Sequence, residues 1–180
     1  MQDSNDPELL ICETEDEEME LRARKVRPME AAKTFRVTVI ATPGTDIDPV
    51  HWDLASNLNP GNGHLVFNKS ANGMKKWDYY LIEFNLDDHT NLGLQFHPNP
   101  MQAFWVAMGD NVSPPDCPQD AAYSEQVYAI SDDPNGRSLT VRNEDDFVQF
   151  FRFSLGFIDR YGQPHRYDPI GQNMNGGSNQ

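Results

Sequence analysis

The chain is poor in cysteine. Its 180 residues hold two, Cys12 and Cys117, whereas a small extracellular scaffold stapled by disulfides carries more, evenly paired. A domain of this length buries an adequate core without staples. The N-terminus, MQDSNDPELLICETEDEE, lacks the basic start and apolar run of a secretory leader. No stretch approaches the roughly 18 apolar residues of a membrane span. Together these absences set the expectation of a cytoplasmic protein with no membrane anchor.

Catalytic signatures are equally scarce. NPGNGH has glycines but no following Lys-Ser/Thr, so it is not a phosphate loop. There is no Gly-x-Ser-x-Gly elbow, no H-E-x-x-H and no C-x-x-C pair. Carboxylate pairs exist, as they do in any acidic protein, and single out no hydrolytic site. The expectation is therefore a non-enzymatic binding or interaction module.

Positive charge is the third shortage. Lys and Arg number 14 against 28 Asp and Glu, a net charge of −14. Residues 1–20 hold nine acids and no Lys or Arg, and residues 21–33 then reverse sign with Arg22, Arg24, Lys25, Arg27 and Lys33 against Glu30. An acidic block followed by a basic block, with little hydrophobicity, reads as a disordered leader over 1–33. The one aromatic-basic stretch, NKSANGMKKWDYY, offers Lys69, Lys75, Lys76 and Trp77. It reads as a solvated turn, because an acidic domain repels phosphate backbones, and no nucleic-acid partner is expected.

What the sequence does have is period-two alternation. TFRVTVIA, HLVFN, YYLIEFNL, LGLQF, AFWVAM, QVYAIS, SLTVRN, FVQFFRFSLGFID and HRYDPI follow one another from Thr34. Polar breaks and turn chemistry separate them, most clearly Pro-Asn-Gly in SDDPNGR. No persistent helical stripe appears after residue 33. The expected fold is all-β: an antiparallel β-sandwich of about eight or nine strands over 34–170, with a flexible tail over 171–180. The pattern looks like immunoglobulin-like or cupredoxin-like sandwiches in general, although the Cys…Trp…Cys spacing of a true immunoglobulin domain is absent. Phe35, Val37, Val39, Ile82, Phe84, Leu94, Phe96, Val127, Leu139, Val141, Phe151, Phe153, Leu155 and Phe157 are the expected core.

Two sites suggest themselves. NLGLQFHPNPMQAFWV sets His97 and Met101 at the end of an apolar run, with Cys117 and His165 downstream. His, Cys and Met together are the ligands of a soft metal such as copper. A cupredoxin, however, needs its cysteine followed closely by histidine and methionine, and Cys117 is followed by PQDAAYSEQVY. A metalloprotein or enzyme using His97, Met101, Cys117 and His165 is therefore the alternative, and His97 as a polar strand end the preferred reading.

The second site comes from topology. If every connection reverses the chain, alternate loops share an end. Loops 42–62, 87–91, 109–125 and 144–147 then gather Asp46, Asp48, Asp53, Asp87, Asp88, Asp110, Asp116, Asp120, Glu125, Glu144, Asp145 and Asp146, without a Lys or Arg. The other loops carry Lys69, Lys75, Lys76, Arg137 and Arg160 against Asp78, Asp132, Asp133 and Asp159. An acidic end suits a basic protein surface. Ca²⁺ is also chemically possible, although no D-x-[DN]-x-[DN]-G loop is present. Asp46, Asp48, Asp87, Asp88, Asp116, Asp120, Glu144, Asp145 and Asp146 are the expected binding carboxylates.

Overall fold

Apolar side chains at every second position of AKTFRVTVIATP produce a 12-residue strand, β1 (Ala32–Pro43), whose Phe35, Val37, Val39 and Ala41 are buried. The computed structural model describes residues 31–56, 64–108 and 126–174. The further strands among them are β2 (Val50–Ser56), β3 (His64–Phe67), β4 (Tyr79–Asp88), β5 (Gln95–Phe96), β6 (Phe104–Met108), β7 (Val127–Asp132), β8 (Ser138–Asn143), β9 (Gln149–Ile158), β10 (Pro164–Tyr167) and β11 (Ile170–Asn173). One helical turn, α1 (Pro100–Ala103), precedes β6.

The strands form two mixed sheets. The first runs β2-β1-β4-β8-β7. In the second, β9 is central: β10 and β11 line one edge in succession, β5 and β6 the other, and β3 pairs with β11. The ladders are not all antiparallel, as the alternation had suggested: β1 pairs in parallel with β4, and β3 with β11. The physical reason lies in two short strands that residue pattern alone did not separate. VHWDLAS, hidden in a Pro/Gly-rich stretch, hydrogen-bonds to β1 as β2. HRYDPI splits at Asp168-Pro169 into β10 and the start of β11, since proline cannot donate to a ladder.

With β1 set to run upward, β4 also runs upward and β2 and β8 downward. Aromatic contacts align the second sheet with the first. Trp52 stacks on Phe157 at 4.5 Å near the upper end, Phe84 meets Phe153 at 5.7 Å in the middle, and Phe67 meets Tyr80 at 5.1 Å near the lower end. All of the expected core residues are buried between the sheets. The apolar space around Ile82, Phe104 and Phe153 leaves no room for a water molecule, so binding to this domain has to use its surface.

Two glycines are dictated by close approach. A Cβ on Gly156 would lie 1.8 Å from the Gln102 carbonyl oxygen, so Gly156 lets α1 rest on the outer face of β9. A Cβ on Gly171 would lie 2.1 Å from the Phe151 ring. Gly171 thereby extends the sheet past Ile170, into the stretch expected to be a flexible tail, and β11 ends at the buried Asn173. The leader expectation falls on residues 1–30, outside the described residues, and β1 already begins at Ala32. Among the described residues no helix is long and apolar enough to cross a membrane.

Candidate functional site

Four loops form the upper end: 44–49, 89–94, 133–137 and 159–163. Backbone bonds connect them to the sheets and to one another. His89 N donates to Ala41 O (2.8 Å), Arg160 N to Leu92 O (3.1 Å), and Phe96 N to Gly136 O (2.8 Å). The Arg160 guanidinium is turned onto the carbonyls of Leu92 and Asn91. Its charge thus supports the loop in which Asn91 takes a left-handed conformation (φ 63°).

The aspartates of this end divide by task. Asp88 accepts from Thr90 N (2.8 Å), Thr90 Oγ1 (2.6 Å) and Leu94 N (2.9 Å), and so organises its own loop. Burial pushes its carboxyl up, but these donors and Arg137 outweigh that and hold it below the ordinary aspartate range. Asp159 accepts from Tyr161 N and Gln163 N and pairs with His165 Nε2 at 3.2 Å. The Gln163 amide, opposed by desolvation and helped by His165, lowers its pKa. Asp133 accepts from Asn135 N in the Pro-Asn-Gly turn. Asp46, Asp48 and Asp87 project into solvent, Asp87 beside the exposed His89 at 3.1 Å. Between Asp46 and Asp48, Ile47 is 97% exposed.

The lower end takes the other half of the expected acidic group. Tyr80 pairs with Asn143 across β4 and β8, which places Glu144, Asp145 and Asp146 a full strand length away from Asp87 and Asp88. The nine carboxylates therefore do not share one end, because the unforeseen β2 and the non-reversing step from β5 to β6 change which loops lie together. The contact of Lys69 Nζ with Asp146 Oδ1 (3.2 Å) joins one loop of each expected group directly. Glu144 is held by Arg142 (2.6 Å) and by Tyr128 Oη (3.0 Å). Asp145 is fully buried with φ 47°. Asp116 and Asp120 lie outside the described residues.

Around Asp145 lies a buried polar cluster that was not anticipated. Asn143 Nδ2 donates to Asn173 Oδ1 (2.8 Å) and Asn173 Nδ2 returns a bond to Asn143 Oδ1 (3.0 Å), joining β8 of one sheet to β11 of the other. Asn143 Oδ1 also accepts from Asp145 N (2.9 Å). Lys69, 3% exposed, donates to Lys76 O (2.9 Å) besides meeting Asp146. Burial, with the Asp145 charge adding to it, pushes the Tyr80 hydroxyl up to about 12. One signal was legible: continuing the inward set Leu139, Val141 by two residues gives Asn143.

The metal candidates do not converge. His97 and Gly156 are neighbours on one flank of β9, and His165 pairs with Phe157 on the other. Adjacent positions of a strand face opposite ways, so His97 and His165 project from opposite faces of the sheet. His97 Nδ1 accepts from Asn99 N (3.1 Å) and His165 faces Asp159. Met101 lies in α1 and Cys117 lies outside the described residues. Among the described residues no three His, Cys, Asp or Glu side chains come together as a metal site. No protein-family model and no curated protein matches this sequence.

Proposed function

We propose that the domain is a non-enzymatic, cytoplasmic interaction module of the immunoglobulin-like or cupredoxin-like sandwich type, and that its upper end engages a basic protein surface. One observation carries the reading: the 97% exposed Ile47 stands between the exposed carboxylates of Asp46 and Asp48, on loops tied to the sheets. An apolar anchor within a charged rim is the composition of a protein contact, in which the anchor supplies affinity and the rim supplies steering. Of the expected carboxylates, Asp46, Asp48 and Asp87 serve this role, while Asp88 shapes the loop. The reading requires no bound metal.

Affinity capture from native extract tests it, comparing the full chain with Asp46→Asn/Asp48→Asn/Asp87→Asn and with Ile47→Ser. The native chain is expected to retain a basic protein at low salt and release it as salt rises, since exposed charges are screened beyond about 8 Å at physiological ionic strength. Both variants should retain much less. Equal capture by all three chains at every salt concentration would leave the acidic loops as solvated surface.

A further inference from the structure

The opposite corner of the domain has the complementary chemistry. Phe147 and Val148 are each 60% exposed, and Phe150 is 41% exposed. β9 departs from alternation here: Phe151 enters the core while Phe150 faces out. The β9–β11 ladder ends at Asn173 opposite Gln149, and one further step sets Met174, 47% exposed, opposite Val148. Val148, Phe150 and Met174 thus share the outer face of their sheet. The outer face of the other sheet is polar at the corresponding position, where Arg36 pairs with Glu83 at 3.0 Å. Contiguous apolar exposure of this kind on a soluble domain marks a contact surface.

The charge beside this patch is positive. Lys69 touches both Lys76 O and Asp146 Oδ1, and so seats the segment Lys75-Lys76-Trp77 against Phe147. Lys75 and Lys76 are exposed, and Trp77 is 47% exposed. The carboxylates nearby are engaged within the fold. Asp146 meets Lys69, Glu144 meets Arg142, and Asp78 accepts from Lys75 N and Ala31 N. The acidic upper end is distant: the ten residues of β4 separate the two ends, roughly 30 Å at about 3.3 Å per residue. That is several Debye lengths at physiological salt, so the upper carboxylates do not repel an anion here.

We propose that this corner docks an acidic segment of a partner protein that carries a short apolar run. Its apolar side chains cover Val148, Phe150 and Met174, and its carboxylates meet Lys75 and Lys76. A chain segment fits better than an anionic bilayer. Phe150 and Met174 stand on the wall of the sheet while Trp77 and Phe147 stand at its end, and a plane touching the end leaves the wall wet.

The test uses the full chain and fluorescence anisotropy of labelled synthetic peptides. One has a Leu-Leu-Ile run flanked by glutamates; the other has lysines in their place. The acidic peptide is expected to bind. Lys75→Glu/Lys76→Glu and, separately, Val148→Thr/Phe150→Thr should each weaken it by about tenfold or more, as loss of a rim and of an anchor does. Asp46→Asn/Asp48→Asn should leave it unchanged, with unchanged circular dichroism for all variants. Absence of binding, equal binding of the basic peptide, or binding to phosphatidylserine vesicles in place of the peptide would overturn the proposal.

Discussion

The two ends of the domain use polar residues in opposite ways. At the upper end Asp46, Asp48 and Asp87 face solvent, and Asp88 and Asp159 bond within their own loops. At the lower end Asn143 and Asn173 are fully buried and bond across the two sheets. Removal of an exposed charge leaves water in its place, whereas removal of one buried amide strands the other. Stability is therefore concentrated below, and the upper surface is free to vary.

The sharpest test of this contrast is Asn173→Ala. It leaves the Asn143 amide without its reciprocal partner and should cost about 2–3 kcal/mol in chemical denaturation. Asn143→Ala should cost a similar amount. The double variant should lose less than the sum, because each single change already removes the shared pair. Strict additivity would mean that the two amides do not hold the sheets together.

A smaller effect is expected from Asp88→Ala. It removes the acceptor for Thr90 and Leu94 and should cost about 1–2 kcal/mol at neutral pH. The sign of its pH dependence follows from the lowered pKa of Asp88. A carboxylate held below its unfolded value of about 3.9 stabilises the fold above that value, and the contribution is lost as pH falls through the folded value. The denaturation midpoints of native and variant chains should therefore differ at neutral pH and converge in acid. A gap that persisted at low pH would show that packing around Asp88, and not its charge, is what the loop needs.

Legibility from sequence followed the same division. Period-two alternation identified the inward side chains, since a strand with one wet face can bury only every second residue. It did not identify strand partners. Nothing in VHWDLAS states that it lies beside β1, and a single unseen strand changes the end to which later loops belong. The acidic site was accordingly read half correctly, with Asp46, Asp48, Asp87 and Asp88 at one end and Glu144, Asp145 and Asp146 at the other. The Asn143–Asn173 pair was hidden for a related reason. Both residues sit at strand ends followed by polar sequence, where an asparagine looks like a turn until the facing sheet is known.

The smallest effect expected on stability is the most informative about function. Asp46→Asn/Asp48→Asn/Asp87→Asn should move the unfolding free energy by no more than about 0.5 kcal/mol, since exposed surface changes away from caps and networks do little. The one ion pair lost, Asp87 with His89, is itself more than half exposed on both sides, and such pairs contribute little. If these carboxylates steer a basic partner, the same variant should slow association while leaving dissociation nearly unchanged, because rim charges act on encounter. Ile47→Ser should do the reverse, speeding dissociation, because an anchor acts after docking. Stopped-flow mixing with the captured partner separates the two. A triple variant that destabilises the fold by several kcal/mol would place these aspartates with the buried amides of the lower end, as parts of the structure and not of its surface.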